Sequence, residues 1–448
     1  MGGRTKEIFS FNWSKYYLKK VLIISPHFPP INAADMHRVR QSLPYFLEFG
    51  WEVEVVAVDP KYIEAYSIDN LLLQTIPEKV KIHFVKAWSV KQTRRFGLGS
   101  LSIRSWFQFK KKGNELLKTG KFDLVYFSTT AFHVMALGPY WKRKFKVPFV
   151  LDIQDPWRND FYLDKPKAER PPKYFIAYNI DKYLEKITIP KADGIISVSQ
   201  GYVNTFLQRY TNLRSEQFKV IPFGASAIDF EVMHRNIQNF HQCEFSKEKI
   251  NFVYIGRGGH DLRFAINILF EAFKQGLKKN PEIFEKIHFW FIGTSYASAG
   301  MGTGTIYPLA VNSGIEEYVT ESTDRIPYFE TLYLLEQADI LCIPGSTDNS
   351  YTASKLYPYI LAKRPLLGIF YYMSSVVEVF NKTKTGEMIS FNEPEHSEKY
   401  IDKCYLAMEK LIGQRMHTVN TDWKAVETYS AFELTRAQTT FFDQLLIK

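Results

Sequence analysis

The sequence predicts an α/β protein built of two Rossmann-like domains that face each other across a cleft. Three observations carry that prediction. The 448 residues exceed what one ordinary domain accommodates. The order strand, polar loop, helix, strand recurs in both halves, at residues 18–58 and again at 338–370, and that order builds parallel sheets. Between the halves, residues 225–249 are polar and poor in periodicity, as expected of a linker.

In the first half, residues 18–25 (LKKVLIIS) read as a strand with its apolar run at 21–24. The loop PHFPPINAADMHR follows, then a helix expected from Asp35 or Met36 to Phe49, stopped by Gly50, and a second strand at 52–58. No G-x-G-x-x-G follows the first strand, so a dinucleotide fingerprint is absent. Ala33 and Ala34 stand where small residues let the backbone approach a ligand, and His27, His37 and Arg38 reach the same crevice. An isolated loop histidine is nonetheless more often structural. Further strands are expected at 81–85, 123–128, 148–153 and 192–197, with a helix at 178–189, and KVIPFG at 219–224 closes this half. The strand at 123–128 leads through Thr129 to His133. The strand at 148–153 delivers Gln154, Asp155, Pro156, Trp157 and Arg158 to the carboxyl edge of the sheet. A carboxylate, a guanidinium and an indole at a strand end are material for a site; the plainer reading has Asp155 capping a turn and Trp157 packing.

The second half restarts the pattern. A strand at 250–255 ends in Gly256-Arg257-Gly258-Gly259-His260-Asp261 before an amphipathic helix at 263–278. A strand at 287–292 ends in Gly293-Thr294-Ser295, followed by a Gly- and Ser-rich loop at 298–305, the loop Arg325-Ile326-Pro327-Tyr328 and a helix near 332–337. The unit at 338–370 then contains an apolar strand at 340–343, a polar loop at 345–350 and a helix capped by Thr352 or Ser354. That helix turns Leu356, Tyr359, Ile360 and Leu361 inward, and Pro365 ends it before the strand at 366–370. Ligands of open α/β sheets bind at the carboxyl ends of strands. A helix beginning there aims free N–H groups at a phosphate, and Lys355 in its first turn adds a full positive charge. An ordinary sheet–helix repeat with a solvated lysine is the alternative.

Composition narrows the function class. No apolar run approaches the roughly 20 residues of a membrane span. The N-terminal residues show no signal-peptide pattern. Cys243, Cys342 and Cys404 are widely spaced, which fits neither a zinc site nor a disulfide framework and favours a reducing compartment. A cytoplasmic location is expected. The net charge of +10 is uneven: residues 1–220 hold 35 Lys/Arg against 20 Asp/Glu, leaving 22 against 27 for the remainder. The sharpest cluster, residues 86–121, has ten Lys/Arg opposed only by Glu115 and interleaved with Trp88, Phe96, Leu98, Leu101, Ile103, Trp106, Phe107 and Phe109. Such a stretch reads as an element facing an anionic membrane surface, with a solvated basic face over buried aromatics as the alternative. No nucleic-acid module is recognisable, and nucleic acid is not expected as a partner.

Taken together, KVLIISPHFPP, FGWEVEVVAV, LDIQDPW, ADGIISVSQG and KVIPFG in the first half, and YIGRGG, RIPYFETLYLLEQADILCIPG and SKLYPYILAKRPLL in the second, resemble the group 1, or family 4, glycosyltransferases of GT-B architecture. Their order and spacing extend the resemblance over nearly the whole chain, and TYSAFELTRAQTTFFDQLL is similar to the family's terminal helix. The resemblance implies an acceptor-side domain at 1–222, a nucleotide-sugar domain at 223–426, and a helix at 427–448 returning to the first domain. It implies a UDP- or GDP-type nucleotide sugar as donor, with no bound cofactor or metal and retention of anomeric configuration. Arg257 and Lys355 would be the cations on the diphosphate, with Asp155 the third catalytic candidate. Gly256, Gly258, Gly293, Arg325, Ile326, Ser354, Leu356, Ala33 and Ala34 would line the donor, and His27, His37, Arg38, His133, Gln154 and Arg158 the acceptor. Where the family's pattern has glutamates this chain has Ser350 and Pro358, and Gln154 stands where many members have histidine. The basic-aromatic region at 86–121 points to a lipid-linked saccharide or growing surface polysaccharide at the inner face of a membrane as the acceptor. A nucleotide-sugar epimerase of the same shape and a non-catalytic sugar-nucleotide-binding scaffold are the alternatives.

Overall fold

A computed structural model describes residues 18–64, 67–93, 99–158, 160, 163, 166–167, 170, 174–240, 245–297, 300–347, 354–392, 398–415, 417 and 419–447. Seven strands form the first sheet: β1 (Lys19–Ile24), β2 (Trp51–Val58), β3 (Lys81–Val85), β4 (Leu124–Ser128), β5 (Phe149–Ile153), β6 (Gly194–Ser197) and β7 (Phe218–Val220). Six form the second: β8 (Ile250–Ile255), β9 (Ile287–Ile292), β10 (Val319–Ser322), β11 (Ile340–Pro344), β12 (Leu366–Tyr371) and β13 (Glu387–Phe391). The orders are β3-β2-β1-β4-β5-β6-β7 and β10-β9-β8-β11-β12-β13, and every pairing is parallel. In each sheet the chain reverses its direction of winding once, between β1 and β4 and between β8 and β11. Loops leaving neighbouring strands part there and open a crevice.

Helices cover both faces of the first sheet, so its central strands are apolar on both sides. Leu22, Ile24, Val56, Phe127 and Trp141 pack on one face. Val21, Ile23, Trp51 and Tyr126 pack on the other, together with Phe441 and Phe442 of the C-terminal helix Ala431–Leu446. That helix follows the second domain in sequence yet docks on the first. Trp51 Nε1 donates to Asp443 at 3.0 Å, and Gly194 admits the helix because a Cβ there would sit 2.6 Å from Leu445.

Several expected boundaries shift for physical reasons. The helix expected to reach Phe49 is a 3₁₀ turn, Ala34–Met36, and an α-helix, His37–Ser42. Pro44 lacks the N–H needed to continue it. The final strand of the first half ends at Val220, because Pro222 cannot donate to a ladder. The expected linker is ordered in its first part: Ala227–Arg235 is a helix that buries Asp229, Phe230, Val232 and Met233, while residues 241–244 lie outside the described set. Its ionic anchor, Arg40, is almost 190 residues away, where no local periodicity could reveal it. Ser354 does not cap the helix Leu356–Leu361; Lys355 itself is the N-cap, with no side-chain cap, and Thr352 lies outside the described residues.

The basic-aromatic stretch is only partly a surface. In the helix Leu101–Thr119, Arg104 and Phe109 are buried. Arg104 donates to the carbonyls of Gly99, Trp88 and Tyr62. Lys110 sits over the rings of Trp106 and Tyr140, and Lys112 pairs with Glu115. Residues 94–98, Phe96 among them, lie outside the described set.

Candidate active site

The second domain gathers its cations at the carboxyl ends of its strands. Arg257 follows β8, Arg325 follows β10, and Lys355 begins the helix after β11. Lys355 Nζ donates to the Tyr254 hydroxyl at 2.7 Å and lies 4.5 Å from the centre of that ring. Gly256 makes this possible: its φ is +157°, and a Cβ there would lie 2.1 Å from Lys355 Nζ. Burial, aided by the charges of Arg257 and Arg325, pulls the Lys355 ammonium down to about 7. Arg257 holds Asp261 in a bidentate pair, at 2.9 and 2.7 Å. Burial alone would raise that carboxyl, but the hydrogen bond and charge of Arg257 bring it below its usual range. Arg325 is exposed and lies over the Tyr296 ring at 4.6 Å. Gly258 packs under Thr305 and donates its N–H to the Thr294 carbonyl, and Gly293 turns the chain after β9 at φ +72°. Ile326 and Leu356 pack into the core of this domain, whereas Ser354 is exposed.

At the first sheet's switch point lies a second polar cluster. Asp35 is buried and accepts from His27 Nδ1 at 2.9 Å, from the Thr129 hydroxyl at 2.8 Å and from the Thr130 N–H at 3.0 Å. Burial would raise its carboxyl, yet His27 and these donors hold it below the ordinary range. Asp155, after β5 and two strands away from β1, is exposed at the edge but largely surrounded by protein. Those surroundings and the negative charge of Asp35 push its carboxyl up to about 6. Gln154 is buried and bridges Ser128, Asp152 and the Asp35 carbonyl. Arg38 is also buried, 3.0 Å from Asp152 and donating to the Ile221 carbonyl. His133 has both ring nitrogens engaged, by Ser102 at 2.7 Å and Asp181 at 3.1 Å, and Arg158 pairs with Asp160 at 2.9 Å. The structure therefore brings His27 and Asp155 to the neighbourhood of Asp35, and ties Gln154, Arg38, His133 and Arg158 into the scaffold around it.

Comparison with known proteins agrees with this architecture. The sequence profile of Glycosyltransferase Family 4 matches residues 38–226. Sucrose-phosphate synthase of Thermosynechococcus elongatus superposes with a TM-score of 0.61 at 15% identity, covering 96% of this chain and 99% of that one. The chain has the GT-B fold. HepE of Anabaena, in complex with UDP-glucose, superposes on this chain with a TM-score of 0.56 at 14% identity, covering 95% and 99%. An α,α-trehalose-phosphate synthase (UDP-forming) of Burkholderia xenovorans, in complex with glucose-6-phosphate, gives 0.60 at 10% identity, covering 95% and 99%. A sequence search of curated proteins found no match.

The two domains of the chain meet where the segment after β1 touches the segment after β10. The His37 and Tyr328 rings meet in a tilted arrangement, their centroids 4.6 Å apart. Asp229 accepts from Arg40 at 2.6 and 2.7 Å and from the Tyr328 hydroxyl at 2.7 Å. Burial and the neighbouring Arg40 push the His37 imidazole down to about 3, so it is neutral at physiological pH. Ala33 packs into the second domain's core from this loop, while Ala34 is exposed. Asp35, Tyr254, Asp261 and the Arg40–Asp229–Tyr328 triad were not singled out from sequence. Asp35 and Asp261 carried a readable signal, an acid directly after a strand-end loop. Tyr254 sits inside an apolar strand and carried none. Of the departures from the family pattern, Pro358 lies within the helix Leu356–Leu361, and Ser350 lies outside the described residues.

Proposed function

We propose that the second domain binds the diphosphate of a UDP- or GDP-type sugar between Arg257 and Lys355, and that the sugar passes to an acceptor held by the first domain. The observation that carries this reading is the concentration of positive charge around Lys355. Two guanidinium groups help pull its ammonium to a pKa of about 7, with Asp261 as the nearby acid that opposes the shift. A diphosphate entering there replaces repulsion among cations with three attractions. The binding of UDP-glucose by HepE supports a uridine donor.

On this reading the bond from the anomeric carbon to the diphosphate oxygen breaks, and its electron pair leaves with the diphosphate. The acceptor hydroxyl forms the new bond to that carbon and gives up its proton. Negative charge therefore grows on the leaving group, where fixed cations stabilise the transition state more than the ground state. Arg257, now forked onto Asp261, has the planar geometry to fork onto phosphate oxygens instead. Asp155, with its carboxyl near 6, is suited to accept a hydrogen bond or proton from the acceptor hydroxyl. Retention follows from the family resemblance.

The acceptor we propose is a membrane-linked saccharide or growing surface polysaccharide, in keeping with the basic balance of residues 1–220. Isothermal titration with UDP-, GDP-, CMP- and dTDP-sugars tests the donor assignment. One nucleotide class binds, and Arg257→Ala weakens it at least tenfold. No binding across the panel, or binding unchanged in Arg257→Ala, overturns the assignment. Proton NMR of the product's anomeric signal tests retention.

A further inference from the structure

The helix Tyr174–Thr188 presents its sides in the reverse of the usual order. Its inner stripe is polar. The Tyr178 hydroxyl donates to Asp160 at 3.0 Å, and Asp181 meets His133 at 3.1 Å. Glu185, 0% exposed, accepts from the Arg158 N–H at 3.1 Å, from Arg209 at 3.2 Å and from the Tyr210 hydroxyl at 2.8 Å. Positions 178, 181, 185 and 188 follow one another at helical spacing, so these groups share one face. The opposite face holds Phe175, Ile176, Ile180 and Tyr183, which are 71%, 62%, 42% and 63% exposed. An amphipathic helix on a globular surface ordinarily turns its apolar stripe inward. Here a network of ion pairs and hydrogen bonds holds the polar stripe down, and four large apolar side chains stand in solvent.

Charge says what covers them. Both acids of this helix, Asp181 and Glu185, face inward and are paired, whereas Lys182 and Lys186 are exposed beside the apolar face. Asn179 is the one exposed uncharged polar side chain among these apolar residues, and the exposed charges of the helix are cations; such a face is complementary to an anionic lipid surface, where the rings enter the headgroup boundary and the lysines meet lipid phosphates. Position agrees. The helix follows β5, whose end carries Asp155, and is tied to His133 after β4, so its first turns lie at the carboxyl edge of the first sheet.

We propose that the outer face of helix Tyr174–Thr188, rather than the basic-aromatic stretch 86–121, is the surface by which this glycosyltransferase lies on an anionic membrane beside its acceptor cleft. This rests on the reading that the acceptor is membrane-linked. None of the described helices is long and apolar enough to cross a bilayer, so the contact is interfacial.

The test is co-sedimentation of the full chain with phosphatidylcholine vesicles, with and without phosphatidylglycerol, at low and high salt. The wild type pellets with the anionic vesicles and is released by salt. Phe175→Ser combined with Ile176→Ser, and separately Lys182→Glu combined with Lys186→Glu, each weaken partitioning about tenfold or more. Phe107→Ser, on the helix Leu101–Thr119, leaves it unchanged. Because all substituted side chains are exposed, nucleotide binding in each variant serves as the check on folding. A wild type that stays in the supernatant, or a Phe175/Ile176 variant that pellets as well as wild type, overturns the proposal. So does a loss confined to Phe107→Ser, or concentration-dependent self-association of the wild type that Phe175→Ser abolishes. Sugar transfer to a soluble acceptor without vesicle binding refutes this proposal and leaves the enzyme reading standing. Vesicle binding without nucleotide binding does the reverse.

Discussion

If Lys355 meets the donor's diphosphate, binding must be coupled to a proton, and the coupling can be sized from the structure. The free protein holds the Lys355 ammonium near 7, through burial first and then the charges of Arg257 and Arg325. A bound diphosphate neutralises those charges and returns the ammonium toward the ordinary lysine range of about 10.4. At pH 7 about half of the free protein carries the proton, and at pH 9 about one-hundredth does; nearly all of the complex carries it at both. Affinity for UDP or the matching nucleotide should therefore fall about 50-fold between pH 7 and 9, or about 2.3 kcal/mol. Titration calorimetry at pH 8 in buffers of different ionisation enthalpy should register an uptake of about 0.9 proton per donor bound. Lys355→Met should flatten the pH profile over this window and abolish the uptake. An affinity independent of pH from 7 to 9, or an uptake that persists in Lys355→Met, would refute the placement of the diphosphate on this side chain.

Three further outcomes follow from the same geometry. Gly256→Ala places a methyl group 2.1 Å from Lys355 Nζ on a backbone at φ +157°; it should displace the lysine and raise the donor Kd about tenfold, and an unchanged Kd would disprove that close approach. Asp155 has a folded-state carboxyl at about 6 against an ordinary 3.8. The folded protein thus binds more protons than the unfolded chain between those values, and this group's contribution to stability is lost as pH rises from about 4 to about 6. Asp155→Asn should remove that part of the slope in melting temperature against pH and reduce turnover; an unaltered slope would count against the shift. Asp229→Ala leaves the fully buried Arg40 without its counter-ion and should cost about 3–5 kcal/mol in chemical denaturation. A loss under about 1 kcal/mol would show that the interdomain ion pair is dispensable.

Strand positions were legible because central strands of parallel sheets, buried on both faces, are written as continuous apolar runs. β1, β4, β8, β11 and β12 all lie within a residue or two of their expected places. The loops at their carboxyl ends followed from that, and with them the positions of Arg257, Arg325, Lys355 and Asp155 along the chain. Helix ends were less legible, since Pro44 shortened one helix and tertiary support lengthened another to Tyr174. What the linear pattern could not contain were relations between distant residues. The helix Ala227–Arg235 holds because Asp229 finds Arg40 and Tyr328. Asp35 becomes a hub because β1 and β4 are neighbours in the sheet and bring His27 and Thr129 to it. The outward turn of Phe175 and Ile176 is set by the partners of Asp181 and Glu185 on the other side of their helix. Sequence alone determined the layers of the molecule, because burial of apolar runs is a local property of composition. Which charges are paired, which lysine is driven toward neutrality and which face of a helix is left exposed were decided only by the tertiary structure, because electrostatic and hydrogen-bond energies depend on distances between groups far apart in the chain.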